Sequence, residues 1–145
     1  MKYFLYLLIL SCPKFVYGQV PIKGNNAIVV SGVTFSQVKE SLLGAGIFIS
    51  EQSAEDGTII TKRKGYCECP NKEFYQLIYF IRIKDSVAII RGRFNVILNP
   101  SDNDENNFLE VLYWKAKNSG YHYVFGVMDA FAQSLKGTKL EYKTL

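Results

Sequence analysis

The sequence is poor in the residues that most often carry catalysis or hold a metal. It has one histidine, three cysteines and one tryptophan among 145 residues. It contains no HExxH motif, no glycine-rich phosphate loop and no GxSxG element. The common signatures of metalloproteases, nucleotide-binding proteins and serine hydrolases are therefore absent, and we expect neither a cofactor nor a metal site.

Long apolar runs are also lacking, except at the start of the chain. Met1-Lys2 precedes an apolar run over residues 3–10, and Val16-Tyr17-Gly18 precedes Gln19. This layout is typical of a secretory signal peptide, and the run is too short for a transmembrane helix, which needs about 20 apolar residues. We therefore expect residues 1–18 to be a signal peptide, the product to be periplasmic or secreted, and the mature chain to have no transmembrane span.

The excess of one charge sign is small. Seventeen basic residues against 13 acidic ones give a formal net charge of +4, and Lys2 and Lys14 lie in the predicted signal peptide. Without them the charge is +2 (15 basic minus 13 acidic). So small an excess on an exported protein argues against nucleic acid as a partner.

The three cysteines are Cys12, Cys67 and Cys69. Cys12 follows Ile9-Leu10-Ser11, so a lipid anchor on Cys12 is the alternative to the signal peptide cut described above. A disulfide between Cys67 and Cys69 would close a very small, labile ring in an oxidising compartment. A metal or redox role is the functional alternative, with His122 and acidic residues as the only further ligands. We favour a loop disulfide or two unreactive thiols.

The polar stretch 19–26 predicts a flexible leader, and residues 27–145 predict a single α+β domain. Thr34 and Gln37 form a capping box, and the apolar spacing that follows predicts a helix of about 10 residues. The same spacing predicts a second helix over 119–137, with His122 in its first turn. Strands are predicted at 27–30, 47–51, 58–61, 74–84 and 87–98, with a further candidate at 109–114.

These elements predict an antiparallel sheet of about five strands with two helices on one face, in the order β-α-β-β-β-β-(β)-α. Residues 62–72 are predicted to be a charged loop, and 139–145 a short tail, for which an extended conformation is one option. The chain shows no internal repeat.

The pattern of capped helix, strand, Asp-Gly hairpin and final helix resembles a family. It is similar to secreted domains of unknown function in Gram-negative envelopes, whose fold resembles one half of a TATA-binding protein. The matching stretches are 33–43, 46–47, 57–61, 79–83, Asp85, 131–132 and Tyr142. The resemblance implies a curved antiparallel sheet with two helices on one side. It implies no activity, no catalytic residue and no DNA binding, because a fold does not fix a function.

The long hairpin gives the sharpest functional hypothesis. If Asp85-Ser86 is a two-residue turn, facing residues on the two strands have numbers that sum to 171. One face is then apolar and takes the helices, with the residues Tyr79, Ile81, Ile83, Ala88, Ile90, Gly92 and Phe94. The other face mixes apolar and basic side chains, namely Ile78, Phe80, Arg82, Lys84, Val87, Ile89, Arg91 and Arg93.

A mixed apolar and basic face suits an acidic envelope protein, an anionic glycan or lipid head groups. An ordinary solvent face, on which basic stems cover apolar neighbours, is the competing interpretation. We predict a non-enzymatic binding module whose binding residues are Phe80, Arg82, Lys84, Arg91 and Arg93. The alternative is a small periplasmic redox or hydrolytic protein that uses Cys67, Cys69 and His122.

Overall fold

The computed structural model of this protein describes residues 19–68, 73–97 and 107–145. The predicted signal peptide, Cys12 and Cys69 lie outside the described residues. The elements in chain order are β1 (Ala27–Ser31), α1 (Phe35–Gly44), β2 (Ile49–Ser53), β3 (Thr58–Thr61), β4 (Lys64–Glu68), β5 (Glu73–Lys84), β6 (Val87–Ile97), β7 (Leu109–Glu110), α2 (Gly120–Ser134) and β8 (Lys139–Lys143). The predicted α+β fold is confirmed.

One open antiparallel sheet contains all eight strands of the described part of the chain. Its order is β2-β3-β5-β6-β1-β8, with β4 paired to β5 and β7 paired to β6. The long strands β5 and β6 lie at the centre, and each pairs with different neighbours along its two halves. Thus β3 pairs with Phe80–Arg82 of β5, and β4 pairs with Glu73–Leu77 of the same strand. The expectation of about five strands is only roughly met.

The hairpin of β5 and β6 has the predicted register. Asp85 and Ser86 have φ angles of 51° and 59°, which is the left-handed pair of a type I′ turn. Eleven residue pairs follow, from Lys84–Val87 at the turn to Phe74–Ile97 at the far end. Because side chains alternate along a strand, this register fixes which residues face the helices.

Both helices pack on the predicted apolar face of the sheet. Tyr79, Ile81, Ile90 and Phe94 are buried there in one cluster with residues of both helices. The rings of Tyr79 and Phe131 of α2 have centroids 5.3 Å apart. The members that the helices supply to this cluster are Val38 and Leu42 of α1 and Val124, Phe125, Met128, Phe131 and Ala132 of α2.

The first turn of each helix is capped by a hydroxyl side chain. The Thr34 hydroxyl oxygen accepts a hydrogen bond from the backbone N–H of Gln37 at 3.3 Å, and the Gln37 side-chain oxygen accepts from the backbone N–H of Thr34 at 2.8 Å. The predicted capping box is therefore confirmed. At α2 the Ser119 hydroxyl oxygen accepts from the backbone N–H of His122 at 3.2 Å.

The prediction of a charged loop over 62–72 is wrong for residues 64–68, which form β4. The lower half of β5 extends beyond β3 and needs a pairing partner for its backbone groups. Strand β4 supplies that partner, with Tyr66 half-buried opposite Tyr75. At the other edge, the tail segment Lys139–Lys143 pairs with all of β1. The candidate strand at 109–114 is reduced to the two residues of β7.

Residues at the end of the predicted leader make contacts with the domain. The backbone N–H of Gly24 donates to the carbonyl of Tyr113 at 3.1 Å, and the N–H of Asn26 donates to that of Lys143 at 3.0 Å. Asn25 and Asn26 are buried. In the described part of the chain, no helix has the length and apolar character needed to cross a bilayer.

Candidate functional site

The side of the sheet away from the helices carries the predicted binding residues, and we call it the outer face. It is defined by the outward residues of β5 and β6, namely Ile78, Phe80, Arg82, Lys84, Val87, Ile89, Arg91 and Arg93. The five predicted binding residues lie together on this face. Arg82, Lys84 and Arg93 are exposed, and Phe80 and Arg91 are half-buried.

Basic and apolar side chains alternate across the outer face. Arg93 lies opposite Ile78, Arg91 opposite Phe80, Arg82 opposite Ile89, and Lys84 opposite Val87. No two cations face each other directly, which avoids the destabilising pairing of like charges across strands. The guanidinium of Arg93 also lies over the Phe80 ring, 5.8 Å from its centroid. Each cation therefore has an apolar neighbour on which its stem can rest.

In the described part of the chain, one of the four cations on β5 and β6 is neutralised by a carboxylate. Arg91 forms an ion pair with Glu110 of β7, and Glu110 also accepts a hydrogen bond from the side-chain amide of Asn26 at 3.2 Å. Within residues 19–68, 73–97 and 107–145, Arg82, Lys84 and Arg93 have no ion-pair partner. The centre of the outer face therefore carries uncompensated positive charge.

A groove of about 340 Å³ lies on the outer face beside two of these cations. Its floor includes Ile60 of β3, Phe80 and Ile89, all half-buried although neither described helix lies on this side of the sheet. Arg82 and Arg91 also line the groove. The volume falls within the lower part of the range for small-molecule sites.

Leu145 forms one wall of the groove, with 58% of its surface exposed. Its position is fixed through its backbone. The Asn26 side-chain amide donates to the Leu145 carbonyl oxygen at 3.0 Å, and the Leu145 N–H donates to the Asn26 side-chain oxygen at 2.8 Å. The same Asn26 thus connects Leu145 to the Arg91–Glu110 pair.

At the end of the outer face away from the turn, two side chains meet across the central strands. The Arg63 guanidinium lies 5.3 Å from the centroid of the Phe108 ring, and Arg63 also lines this face beside Ile78 and Phe80. Arg63 precedes β4 and Phe108 precedes β7, so the contact crosses from the β4 side of the sheet to the β7 side. Arg63 thus adds a further cation to the outer face.

His122 lies in the first turn of α2 and contacts the loop that precedes this helix. Its ring nitrogen Nδ1 lies 2.9 Å from the carbonyl oxygen of Trp114. Because a carbonyl only accepts, Nδ1 carries the hydrogen and donates it. The hydrolytic alternative would use His122 as a general base, which needs an orienting partner. That partner is here a backbone carbonyl and not an acidic side chain.

Cys67 is an exposed residue of β4, and its carbonyl oxygen accepts a hydrogen bond from the Tyr123 hydroxyl at 2.8 Å. The predicted pairing with Cys69 falls outside the described residues. The described ranges contain no cluster of three histidine, cysteine or acidic side chains that would hold a metal ion.

Sequence reasoning missed three residues that complete the outer face, namely Asn26, Glu110 and Leu145. Asn26 was assigned to the leader and Leu145 to the tail, and Glu110 had no predicted partner. The pairing of β1 with β8 and of β6 with β7 brings them to the outer face, where Leu145 lines the groove. No local signal marks these three residues in the sequence.

Comparisons with known proteins do not assign the chain to a family. No protein-family model matches it, and no curated protein has significant sequence similarity to it. Its function must therefore be inferred from the chemistry of the outer face.

Proposed function

We propose that this chain is an exported, non-enzymatic binding domain that binds an anionic ligand through its outer face. One observation carries the proposal. Arg82, Lys84 and Arg93, none of which has an ion-pair partner among the described residues, flank apolar side chains on the side of the sheet away from both described helices. A cluster of positive charge over low-dielectric surface attracts anions and raises their local concentration.

The groove distinguishes this face from an ordinary solvent surface. On a solvent face the long basic stems lie down and cover the apolar residues between them. Here a volume of about 340 Å³ stays open above Ile60, Phe80 and Ile89. An open apolar groove with few polar groups around it is typical of a ligand site.

The location of the protein is part of the same proposal. The apolar run over 3–10 and the Val16-Tyr17-Gly18 sequence support export. The resemblance to secreted Gram-negative envelope domains with a fold like half of a TATA-binding protein supports an envelope setting. The anionic ligand classes of that setting are acidic envelope proteins, anionic glycans and lipid head groups.

The test is a comparison of two charge-matched triple variants. The first is Arg82→Gln, Lys84→Gln and Arg93→Gln on the outer face. The second is Lys39→Gln on α1 with Lys115→Gln and Lys117→Gln in the loop before α2, which removes the same charge elsewhere. Binding to a sulfated glycan and to phosphatidylglycerol vesicles is measured at increasing salt.

We expect the outer-face variant to lose binding of at least one probe and the control to keep it. Because exposed charges are screened by salt, binding of the parent protein should weaken as the ionic strength rises. Equal binding by both variants would contradict the proposed function. Failure of the parent protein to bind either probe or an acidic peptide would contradict it as well.

Export has a separate test, the intact mass of the protein recovered outside the cytoplasm. We predict an N-terminus at Gln19, because the residues before it fit a signal peptidase site. A lipid-modified N-terminus at Cys12 would instead show an anchored protein.

A further inference from the structure

We infer that the ligand of the outer face is a single anionic lipid molecule, with its acyl chain in the groove and its acidic head group at Arg82. This inference rests on the proposed function and adds the chemical class of the ligand. It follows from three features of the groove, namely its floor, its charge and its backbone.

The floor of the groove is suited to a hydrocarbon chain. Ile60, Phe80 and Ile89 form it, and Leu145 stands at its wall with its side chain more than half exposed. Most of these side chains are aliphatic, whereas sugar rings stack on aromatic platforms. Covering exposed aliphatic surface with a chain is favourable in proportion to the apolar area removed from water.

The charge at the groove is positive and is concentrated on one side. Both Arg82 and Arg91 line the groove, but Glu110 already neutralises Arg91. Among the described residues Arg82 has no acidic partner, and it lies directly opposite Ile89 of the floor. The acidic group of a lipid whose chain lies on this floor is therefore best placed at Arg82. The planar guanidinium of an arginine forms bidentate hydrogen bonds with phosphate or carboxylate oxygens.

The backbone of the groove argues against a peptide as the ligand. Strand β5 pairs with β3 on one side and with β6 on the other through the residues of the floor, so these backbone groups are already used in the sheet. A peptide lying on this floor would place its own N–H and C=O groups against apolar side chains without partners, which is unfavourable. A saturated chain has no such groups.

The shape of the site favours one lipid molecule over a bilayer surface. The groove is a recess of about 340 Å³ lined by Arg82, Arg91 and Leu145 besides its apolar floor. Such a recess receives a chain that leaves the bilayer, whereas a flat membrane surface would touch only its rim.

The experiment measures binding of lysophosphatidylglycerol below its micelle-forming concentration by isothermal titration calorimetry. Two probes separate the contributions of chain and charge. Lysophosphatidylcholine keeps the chain but has no net charge, and glycerophosphoglycerol keeps the acidic head group but has no chain. We expect lysophosphatidylglycerol to bind about tenfold or more tightly than either, because one charge-assisted contact is worth about that factor.

The variants locate the two contacts. Arg82→Gln should weaken binding of lysophosphatidylglycerol about tenfold and leave binding of lysophosphatidylcholine unchanged. Ile89→Ser should weaken both, and Ile60→Ser is the second floor variant if Ile89→Ser lowers stability. Lys117→Gln, which removes one charge that does not line the groove, is the control and should bind like the parent protein.

Three outcomes would overturn the inference. If glycerophosphoglycerol or a sulfated glycan binds as tightly as lysophosphatidylglycerol and Ile89→Ser has no effect, the face recognises charge alone. The inference then fails and the proposed function stands. If an acidic peptide binds and lysophosphatidylglycerol does not displace it, the ligand is a protein segment and the proposed function again stands. If no anionic probe binds, the inference and the proposed function both fail.

Discussion

The two faces of the β5–β6 hairpin are built by the same strands and have opposite uses. The inward residues Tyr79, Ile81, Ile90 and Phe94 are buried under the helices. Each outward cross-strand pair joins one basic and one apolar side chain, and these residues are at most half-buried. Because side chains alternate strictly along a strand, each face can be selected for its own purpose without changing the other.

The comparison shows where this protein has freedom to evolve a function. The inward face is constrained by packing, because adding or removing a single methylene in a close-packed core changes stability. Changes on the outward face alter charge and groove shape at little cost in stability. The proposed binding chemistry therefore lies on the face that core packing constrains less.

The largest difference between the two faces is expected when one phenylalanine on each is replaced by alanine and the free energies of unfolding are compared. Phe94 is 2% exposed and its ring meets that of Tyr121 at a centroid distance of 5.0 Å. Phe94→Ala should lower the free energy of unfolding by about 3–5 kcal/mol. Phe80→Ala should lower it by less than half as much, because Phe80 is only half-buried. Equal losses in urea unfolding would show that the outer face also carries the core.

Unfolding at alkaline pH tests the burial of the tyrosines on the inward face. Burial raises the pKa of Tyr79 far above its ordinary value, and burial also raises that of Tyr66, whose hydroxyl lies 3.3 Å from that of Tyr79. A pKa raised in the folded state means that stability is retained below the unfolded pKa, near 10, and falls as the pH rises further.

Urea midpoints measured from pH 8 upward should therefore stay level and then fall above about pH 10. Tyr79→Phe removes the buried titrating group and should make that fall shallower. Parallel pH profiles for the parent protein and the Tyr79→Phe variant would show that Tyr79 ionises as easily in the folded state as in the unfolded one.

The helix that covers the inward face depends on its cap. Thr34→Ala should lower the free energy of unfolding by about 1 kcal/mol, because the hydroxyl that accepts from the Gln37 N–H is lost. Gln37→Ala should have a smaller effect, because Thr34 still caps the first turn. A Thr34→Ala variant with an unchanged denaturation midpoint would mean that the cap contributes nothing.

Charge reversal on the outer face should have the smallest effect on stability. Arg82→Glu with Arg93→Glu should change the free energy of unfolding by no more than about 0.5 kcal/mol per site. Arg91 is left intact, since Arg91→Glu would place a second carboxylate against Glu110. Unfolding of this double variant would show that the face is structural, whatever its effect on binding.

The hairpin and its two faces could be predicted from the sequence because their signals are local. Asp85-Ser86 between two long alternating strands sets the register, and alternation then assigns every side chain to a face. The capping box at Thr34 and Gln37 likewise depends on residues three apart. These patterns are enough to place all five predicted binding residues on one surface.

The edge strands and the groove wall could not be predicted in the same way. Strand β4 is short, contains Gly65 and is formed because β5 offers unpaired backbone groups. Strand β7 has two residues, and Glu110 reaches Arg91 only through that pairing. Leu145 reaches the groove through Asn26, 119 residues earlier in the chain. Contacts of this separation leave no periodic signal in the sequence.

The most direct test of the central claim is a methyl NMR titration of the isoleucines with lysophosphatidylglycerol. Ile60, Ile78 and Ile89 report on the outer face, and Ile81 and Ile90 report on the inward face of the same sheet. We predict that the methyl signals of Ile60 and Ile89 shift the most and that those of Ile81 and Ile90 stay close to their original positions. Shifts confined to the inward isoleucines, or no shift at saturating ligand, would contradict the claim that the outer face is the binding site.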